Sequence, residues 1–286
     1  MISDITLGQY FPGTSPIHKL DPRTKIILTT LFIVLVFVAN NPLGFLLVAA
    51  ITVTLVGMSQ IPPSVVIKAV KPIVVIVIVT ALLNLFMTVG SGEPLFELWF
   101  IKIYNEGIIK SVFMSLRVLF LIIGTSVVLT YTTSPIALTD GLESLLSPLK
   151  KLKVPVHVFA MMMSIALRFI PTLIEETEKI INAQKSRGAD FESGNIIRRA
   201  KALVPILIPL FVSAFKRAEE LATAMECRCY RGDHNRTKLN KLEYKARDFY
   251  AMGVFVILLT GMILLAILPY NTHYSGVIFD VLFHKI

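Results

Sequence analysis

Five stretches of the chain are apolar around their whole circumference, and between the fourth and fifth lies a long segment of charged, helix-period sequence. Ile26 to Ala39 and Leu43 to Met58 are separated by Asn40-Asn41-Pro42, where a proline and two asparagines favour a turn. The pattern predicts a helical hairpin. Each run is a little under the roughly 20 residues that span a bilayer, a shortfall that local thinning and a snorkelling Lys25 would accommodate. One long re-entrant element is the competing reading. A third span, Val65 to Val89, is entered through Ile61-Pro62-Pro63, carries Lys68 and Lys71 near its start, and ends at Gly90-Ser91-Gly92. After a stretch with Trp99 and Tyr104, which suit an interface, a fourth runs from about Ile109 to Tyr131 with Arg117 inside it. The last, Phe249 to Leu268, precedes Pro269 and a short polar tail.

From Ser134 to Asp248 the period predicts three amphipathic helices. The first takes Ser134 as N-cap and Pro135 as its first residue, with Ile136, Leu138, Leu142, Leu145, Leu146 and Leu149 on one face. That face suits ordinary helix packing or the membrane interface. The second joins apolar Val156 to Ile170, through Arg168 and Pro171, to a polar half ending at Ser186-Arg187-Gly188. Hydropathy leaves open whether its apolar half enters the bilayer or packs on another subunit. The third, about Ile196 to Cys229, is apolar nearly all round from Leu203 to Phe215 and polar beyond. Pro205 and Pro209 are expected to bend it. An apolar girth outside a span requires a cover, from this chain or a partner.

Composition and charge fix the solvent and the orientation. Of the 286 residues 55% are hydrophobic and 16% charged, and the mean hydropathy is +0.72, which fits poorly with a water-exposed surface. The net charge is +9, but 19 of the 28 lysines and arginines lie between Ser134 and Asp248. That partition marks cytoplasmic loops rather than a nucleic-acid surface. Alternating five spans places the N-terminus, the Lys68 loop and the long segment on the cytoplasmic side. The reading is an all-α integral membrane protein with about five transmembrane helices and three cytoplasmic amphipathic helices. Its parts are a four-span region 1–133, a cytoplasmic region 134–248, and a last span with its tail, 249–286. Residues 1–25 lack the layout of a cleavable signal peptide, so the spans themselves direct insertion.

Both long cytoplasmic helices finish alike, at Ser186-Arg187-Gly188 and at Cys227-Arg228-Cys229, each arginine between small residues. An arginine in a last turn complements the helix dipole, and Gly188 can adopt a left-handed cap. Such a tip also projects a planar, permanently charged fork into a partner's groove, where a carboxylate can meet it bidentately. Two tips suit a partner that presents two similar grooves.

Taken together, Gly8-Gln9-Tyr10 to Asp21-Pro22-Arg23-Thr24-Lys25, Leu167-Arg168-Phe169-Ile170-Pro171, Ala183-Gln184-Lys185-Ser186-Arg187-Gly188-Ala189 and Ala224-Met225-Glu226-Cys227-Arg228-Cys229-Tyr230 resemble the transmembrane T component of energy-coupling-factor (ECF) transporters, the EcfT/CbiQ family. The resemblance covers nearly the whole chain. It implies that the three cytoplasmic helices are coupling helices, and that the chain is a non-enzymatic subunit of a prokaryotic cell-membrane importer. Its partners would be two ABC-type ATPase subunits and one hydrophobic substrate-binding S component, the cargo a vitamin or a transition-metal ion. In that family two X-Arg-X motifs, commonly Ala-Arg-Gly, dock into the ATPases. The matching residues here are Ser186, Arg187 and Gly188, and Cys227, Arg228 and Cys229. Serine and the two cysteines depart from the common form but remain small. Arg231-Gly232 is an alternative register for the second motif.

No cofactor is expected in this chain, since ATP would be bound by the partners, and no metal. Cys227, Cys229 and His234 fall short of a closed zinc site. Arg117 would pair with a carbonyl or snorkel. Apart from it, the span interiors hold no Asp, Glu, His, Lys or Arg, and Asn84 is the main polar side chain. Ion-coupled carriers usually need such groups. No phosphate-binding Walker loop and no acid, base and nucleophile set is present, so the energy source is external. The alternatives are a conventional ABC permease lining its own substrate path and an ion-coupled membrane carrier.

Overall fold

A computed structural model describes residues 10–88, 96–98, 101–189, 191, 195–230, 232 and 242–267. The expected Gly90-Ser91-Gly92 turn, Gly8-Gln9, Arg231, His234 and the tail from Leu268 lie outside them. The described residues fall into two compact units, one of Tyr10–Ser134 with the residues from Leu242 onward, the other within Pro135–Lys241.

The first unit holds α1 (Pro22–Val38), α2 (Pro42–Ser59), α3 (Pro63–Val70), α4 (Val74–Met87), α5 (Asn105–Thr125) and α9 (Ala246–Ile267). A proline at the first position opens α1, α2 and α3, where its missing N–H costs nothing. The Asp21 carboxylate caps α1 by accepting from the Arg23 N–H at 2.9 Å. The third expected span is broken in two by a 3-10 turn at Lys71-Pro72-Ile73, because Pro72 cannot donate to the helical ladder. Two short strands not foreseen from the sequence, β1 (Phe96–Leu98) and β2 (Ile101–Ile103), pair antiparallel with Phe96 opposite Ile103. The end of α5 widens into a π-helical stretch, Ser126–Tyr131.

Among the described residues five helical stretches are long and apolar enough to cross a membrane: Pro42–Ser59, Pro63–Met87, Gly107–Tyr131, Val156–Ser186 and Ala246–Ile267. The number matches the expectation, but the set differs. The first expected span, α1, has 17 residues, about 26 Å of helix at 1.5 Å per residue. Val156–Ser186, whose apolar half hydropathy had left open, joins the set instead.

The core of this unit is built where α1, α2 and α9 meet, on Phe32, Leu35, Val36, Val48, Ile51 and Met262. Gly124 lets α5 approach α1 closely, since a Cβ there would overlap the ring of Phe32. By contrast α4 has no buried residue, although Ser111 Oγ of α5 donates to the Ala81 carbonyl at 2.8 Å. A bilayer supplies the apolar solvent that such a helix needs. Threonine hydroxyls within the helices satisfy themselves on carbonyls one turn back, as Thr29 does on Lys25 and Thr52 on Val48. Asn84 does the same with the Thr80 carbonyl.

Arg117 behaves as one of the two readings required, donating to the Ala39 carbonyl at the end of α1 (2.7 Å) and to Asn40 Oδ1 (3.1 Å). Lys25 does not snorkel. It is 2% exposed, and its Nζ donates to the carbonyls of Thr132 (2.7 Å) and His18 (3.3 Å). The buried carboxylates of Asp21 and Asp248 supply the opposing charge that permits this burial. Asp248 also accepts from the N–H groups of Asp21 and Lys245, each at 2.8 Å, and so ties the start of α9 to the start of α1.

The second unit holds α6 (Pro135–Leu145), a 3-10 turn (Ser147–Leu152), α7 (Val156–Ser186) and α8 (Ile196–Cys227). Its three helices are those expected. Pro171 lies inside α7, and Pro205 and Pro209 inside α8, without ending either helix. His157 of α7 meets the buried Glu143 of α6 at 2.9 Å.

Candidate functional site: two arginine-capped helix ends

The last turn of α7 closes on a left-handed residue. Gly188 has φ +83°. Its N–H donates to the Lys185 carbonyl (2.9 Å), while the Ala189 N–H reaches back to Gln184 (3.0 Å). These two bonds satisfy carbonyls that would otherwise be orphaned at the helix end. They make Arg187 the cap residue, and its own N–H donates to the Gln184 carbonyl at 3.1 Å.

The end of α8 repeats this arrangement atom for atom. Cys229 takes the left-handed position, with φ +57°, and its N–H donates to Glu226 (2.8 Å). The Tyr230 N–H reaches back to Met225 (3.0 Å), and the Arg228 N–H donates to the same carbonyl at 3.1 Å. Arg228 is therefore the cap residue of α8, as Arg187 is of α7. Glycine occupies the left-handed site without steric penalty, whereas a side chain there costs about 1–2 kcal/mol. Ser186, Arg187, Gly188, Cys227, Arg228 and Cys229 are all exposed, and both thiols are free. Among the described residues neither guanidinium has an ion-pair partner.

A brace joins the two helices at a fixed distance from both tips. Arg217 Nη2 of α8 donates to Glu176 Oε2 of α7 at 2.9 Å, and Ser213 Oγ donates to Glu176 Oε1 at 2.5 Å. Glu176 precedes Arg187 by eleven residues, and Arg217 precedes Arg228 by eleven. At 1.5 Å per residue each arginine stands ~16 Å of helix beyond the brace. Glu176 lies in the polar half of α7, past its apolar stretch. The Ser213 hydroxyl, with the Arg217 guanidinium, holds its carboxyl below the usual carboxylate range.

Helix α8 also carries an exposed apolar face, with Leu207, Ile208, Phe211, Val212 and Phe215 each 48% exposed or more. Nothing in the chain covers it among the described residues.

The CbiQ family, described as cobalt transport protein, matches residues 13–239. This chain belongs to that family. It is 53% identical over 264 residues to the energy-coupling factor transporter transmembrane protein EcfT of Clostridium kluyveri, covering 92% of this chain and 97% of that one. To the EcfT of Bacillus subtilis it is 50% identical over 258 residues (90% and 97%), and to that of Lactococcus lactis subsp. cremoris 44% over 264 (92% and 98%). The chain is thus a multi-pass transmembrane component of the ECF transporter family, a family of transporter components and not of enzymes.

For this EcfT-family chain the structure brings each expected trio onto one exposed helix end. Arg231, the alternative register, lies outside the described residues, while Gly232 has φ +74°. Among the described residues no three His, Cys, Asp or Glu side chains gather as a metal site. Sequence reasoning missed the brace of Glu176, Ser213 and Arg217. A signal was available, since Glu176 and Arg217 are 41 positions apart, the same interval that separates Arg187 from Arg228.

Proposed function

We propose that this chain is the coupling subunit of an ECF-type ABC importer, standing between two ATP-hydrolysing subunits and one hydrophobic S component that captures a vitamin or a transition-metal ion. Residues 134–248 form the cytoplasmic coupling region, flanked by membrane regions 1–133 and 249–286. The lysine and arginine excess of that segment supports its side of the membrane. Ser186, Arg187 and Gly188 dock into one ATPase, and Cys227, Arg228 and Cys229 into the other. ATP is bound by those partners, and the chain takes no cofactor of its own.

The observation that carries this reading is the identity of the two helix ends: two exposed arginines, without an ion-pair partner among the described residues, in the same cap position and with the same hydrogen bonds behind them. Like tips serve like grooves, and a pair of ATPases offers two. When the ATPases close on ATP and reopen, they move both tips, and the Glu176–Arg217 brace makes the helices move as a pair. The apolar face of α8, 68% exposed at Phe215, is the surface against which the S component tilts to release its cargo inward.

Charge reversal tests the docking. Arg187→Glu and Arg228→Glu should each weaken co-purification with the ATPases, and the double variant should abolish it together with uptake. A double variant that assembles and transports normally would overturn the reading. The mass of the intact complex tests its composition: one copy of this chain per ATPase pair is required, and two copies would mean a conventional permease.

A further inference from the structure

We infer that the outward face of α3, made by Ser64, Ile67, Lys68 and Lys71, is a binding site for the headgroup of an anionic phospholipid. The two ammonium groups and the Ser64 hydroxyl donate to its phosphate, while Ile67 meets the acyl region. Lys71 is the C-cap of α3 and keeps helical backbone angles, so the four residues fall at i, i+3, i+4 and i+7 of one helix face. All four are exposed, Ile67 to 68%. The opposite face is the one that packs: Val66 is buried with Ile61, Val127 and Tyr131, and Val65 and Ala69 lie against the same cluster. Like charges one turn apart on a helix repel, and a phosphate shared between them replaces that repulsion with two charge-assisted hydrogen bonds.

The next element says what covers this face. Beyond Lys71-Pro72-Ile73 the chain continues as α4, which has no buried residue and on which Val75, Ile76 and Ile78 are each more than half exposed. Lipid acyl chains are the solvent of such a helix. The whole stretch Pro63–Met87 has 25 residues, about 38 Å of helix against a hydrocarbon core of about 30 Å, which leaves α3 at the depth where those lipids carry their headgroups. The sign of the charge then selects the lipid. The sequence has no Asp or Glu from Pro22 to Gly92, nor from Gly107 to Tyr131, so α2, α5 beyond its first turn and the π-helical stretch bring no carboxylate to α3. Asp21 and Asp248, near the end of that stretch, are buried and accept from the N–H groups of Arg23, Asp21 and Lys245. Among the described residues neither Lys68 nor Lys71 has an ion-pair partner. Each lysine near an anionic surface changes partitioning roughly fivefold, so the pair favours an anionic over a zwitterionic lipid by roughly 25-fold.

The test uses the full chain in liposomes with one reporter tryptophan: Ile67→Trp combined with Trp99→Phe, Trp99 being the native tryptophan. Two equimolar mixtures of phosphatidylglycerol and phosphatidylcholine differ only in which lipid carries brominated acyl chains. Quenching is expected in both, because other lipids also lie within range of the reporter, and about twofold or more stronger with bromine on phosphatidylglycerol. Lys68→Gln with Lys71→Gln should erase that difference, and Lys68→Arg with Lys71→Arg should keep it. Absence of quenching in both mixtures would mean that the face meets water or a protein surface and would overturn the inference. Equal quenching in both would overturn it as well, since the face would then meet lipid without regard to charge. A difference that survives the glutamine pair would also overturn it, because the preference would arise elsewhere.

Discussion

Arg217 of α8 grips Glu176 of α7 at a point eleven residues short of the cap arginine on each helix. The pair therefore acts on both tips with equal leverage. Both partners are partly exposed, so the ion pair itself contributes only ~0.5–1 kcal/mol. Glu176→Gln and Arg217→Gln should each lower the thermal stability of the purified protein slightly, but reduce uptake more than they reduce assembly with partners. The exchange Glu176→Arg with Arg217→Glu should recover much of the loss, apart from the bond that Ser213 donates. The pH dependence has a definite sign. A carboxyl held below its ordinary value contributes stability that is present above the unfolded glutamate value of about 4.3 and is lost as pH falls through the lower folded value. Stability from the brace should be flat across neutral pH and fall only in acid.

Much of this was legible in the chain because apolar periodicity and helix-end chemistry are local. Proline at a first turn placed the start of α6 to the residue, and Arg187-Gly188 announced a left-handed cap. What stayed hidden depends on distant partners. Lys25 reads as a snorkelling residue until Asp248, more than 200 positions later, is found beside its helix. Pro72 reads as one apolar residue inside a span, yet without an N–H it forces a 3-10 turn there. The left-handed backbone of Cys229 was equally invisible, although the residue matches Gly188 in the motif, because a cysteine gives no sign of adopting positive φ.

The two caps should respond in opposite ways to substitutions of similar size. Gly188→Ala puts a Cβ where φ is +83° and should weaken the α7 cap by about 1–2 kcal/mol. Cys229→Gly removes that penalty from α8, partly offset by ~0.4–1 kcal/mol of added freedom in the unfolded chain. Hydrogen exchange reads the outcome directly: the Ala189 amide should exchange faster in the first variant, and the Tyr230 amide no faster in the second. Equal acceleration in both would show that the caps are not governed by their left-handed residues.

Gly124 tests whether α5 and α1 are in contact as close as the structure gives. A methyl group there meets the ring of Phe32, which is 1% exposed and has no space into which to move. Gly124→Ala should cost about 1–3 kcal/mol by overpacking. Phe32→Leu, destabilising alone, should cost less in the Gly124→Ala background, since the two changes share one volume. Gly261→Ala is the control, because nothing lies within 4 Å of its added carbon. Thermal melts in detergent would separate the three.

Lys25 supports the end of the membrane unit where three segments converge: the start of α1, the residues after the π-helical stretch, and, through Asp248, the start of α9. Lys25→Met keeps much of the side chain's length and removes only the charge and its donors. The Thr132 carbonyl then loses a 2.7 Å bond, and of the carboxylates of Asp21 and Asp248, buried to 8% and 2% exposure, Asp248 loses its cation while Asp21 keeps only Arg23 Nε at 3.8 Å. Both carboxylates accept backbone N–H groups, from Arg23 in one case and from Asp21 and Lys245 in the other, so each also holds backbone in place. Stranding buried charge in this way costs about 3–5 kcal/mol, enough to deplete the folded protein in the membrane fraction. Adding Asp248→Asn to Lys25→Met should restore part of the yield, because it removes one of the stranded charges while keeping an oxygen acceptor. Were Lys25→Met to accumulate and melt like the parent protein, the charge cluster would carry no stability and the link between α1 and α9 would have to rest on their apolar contact alone.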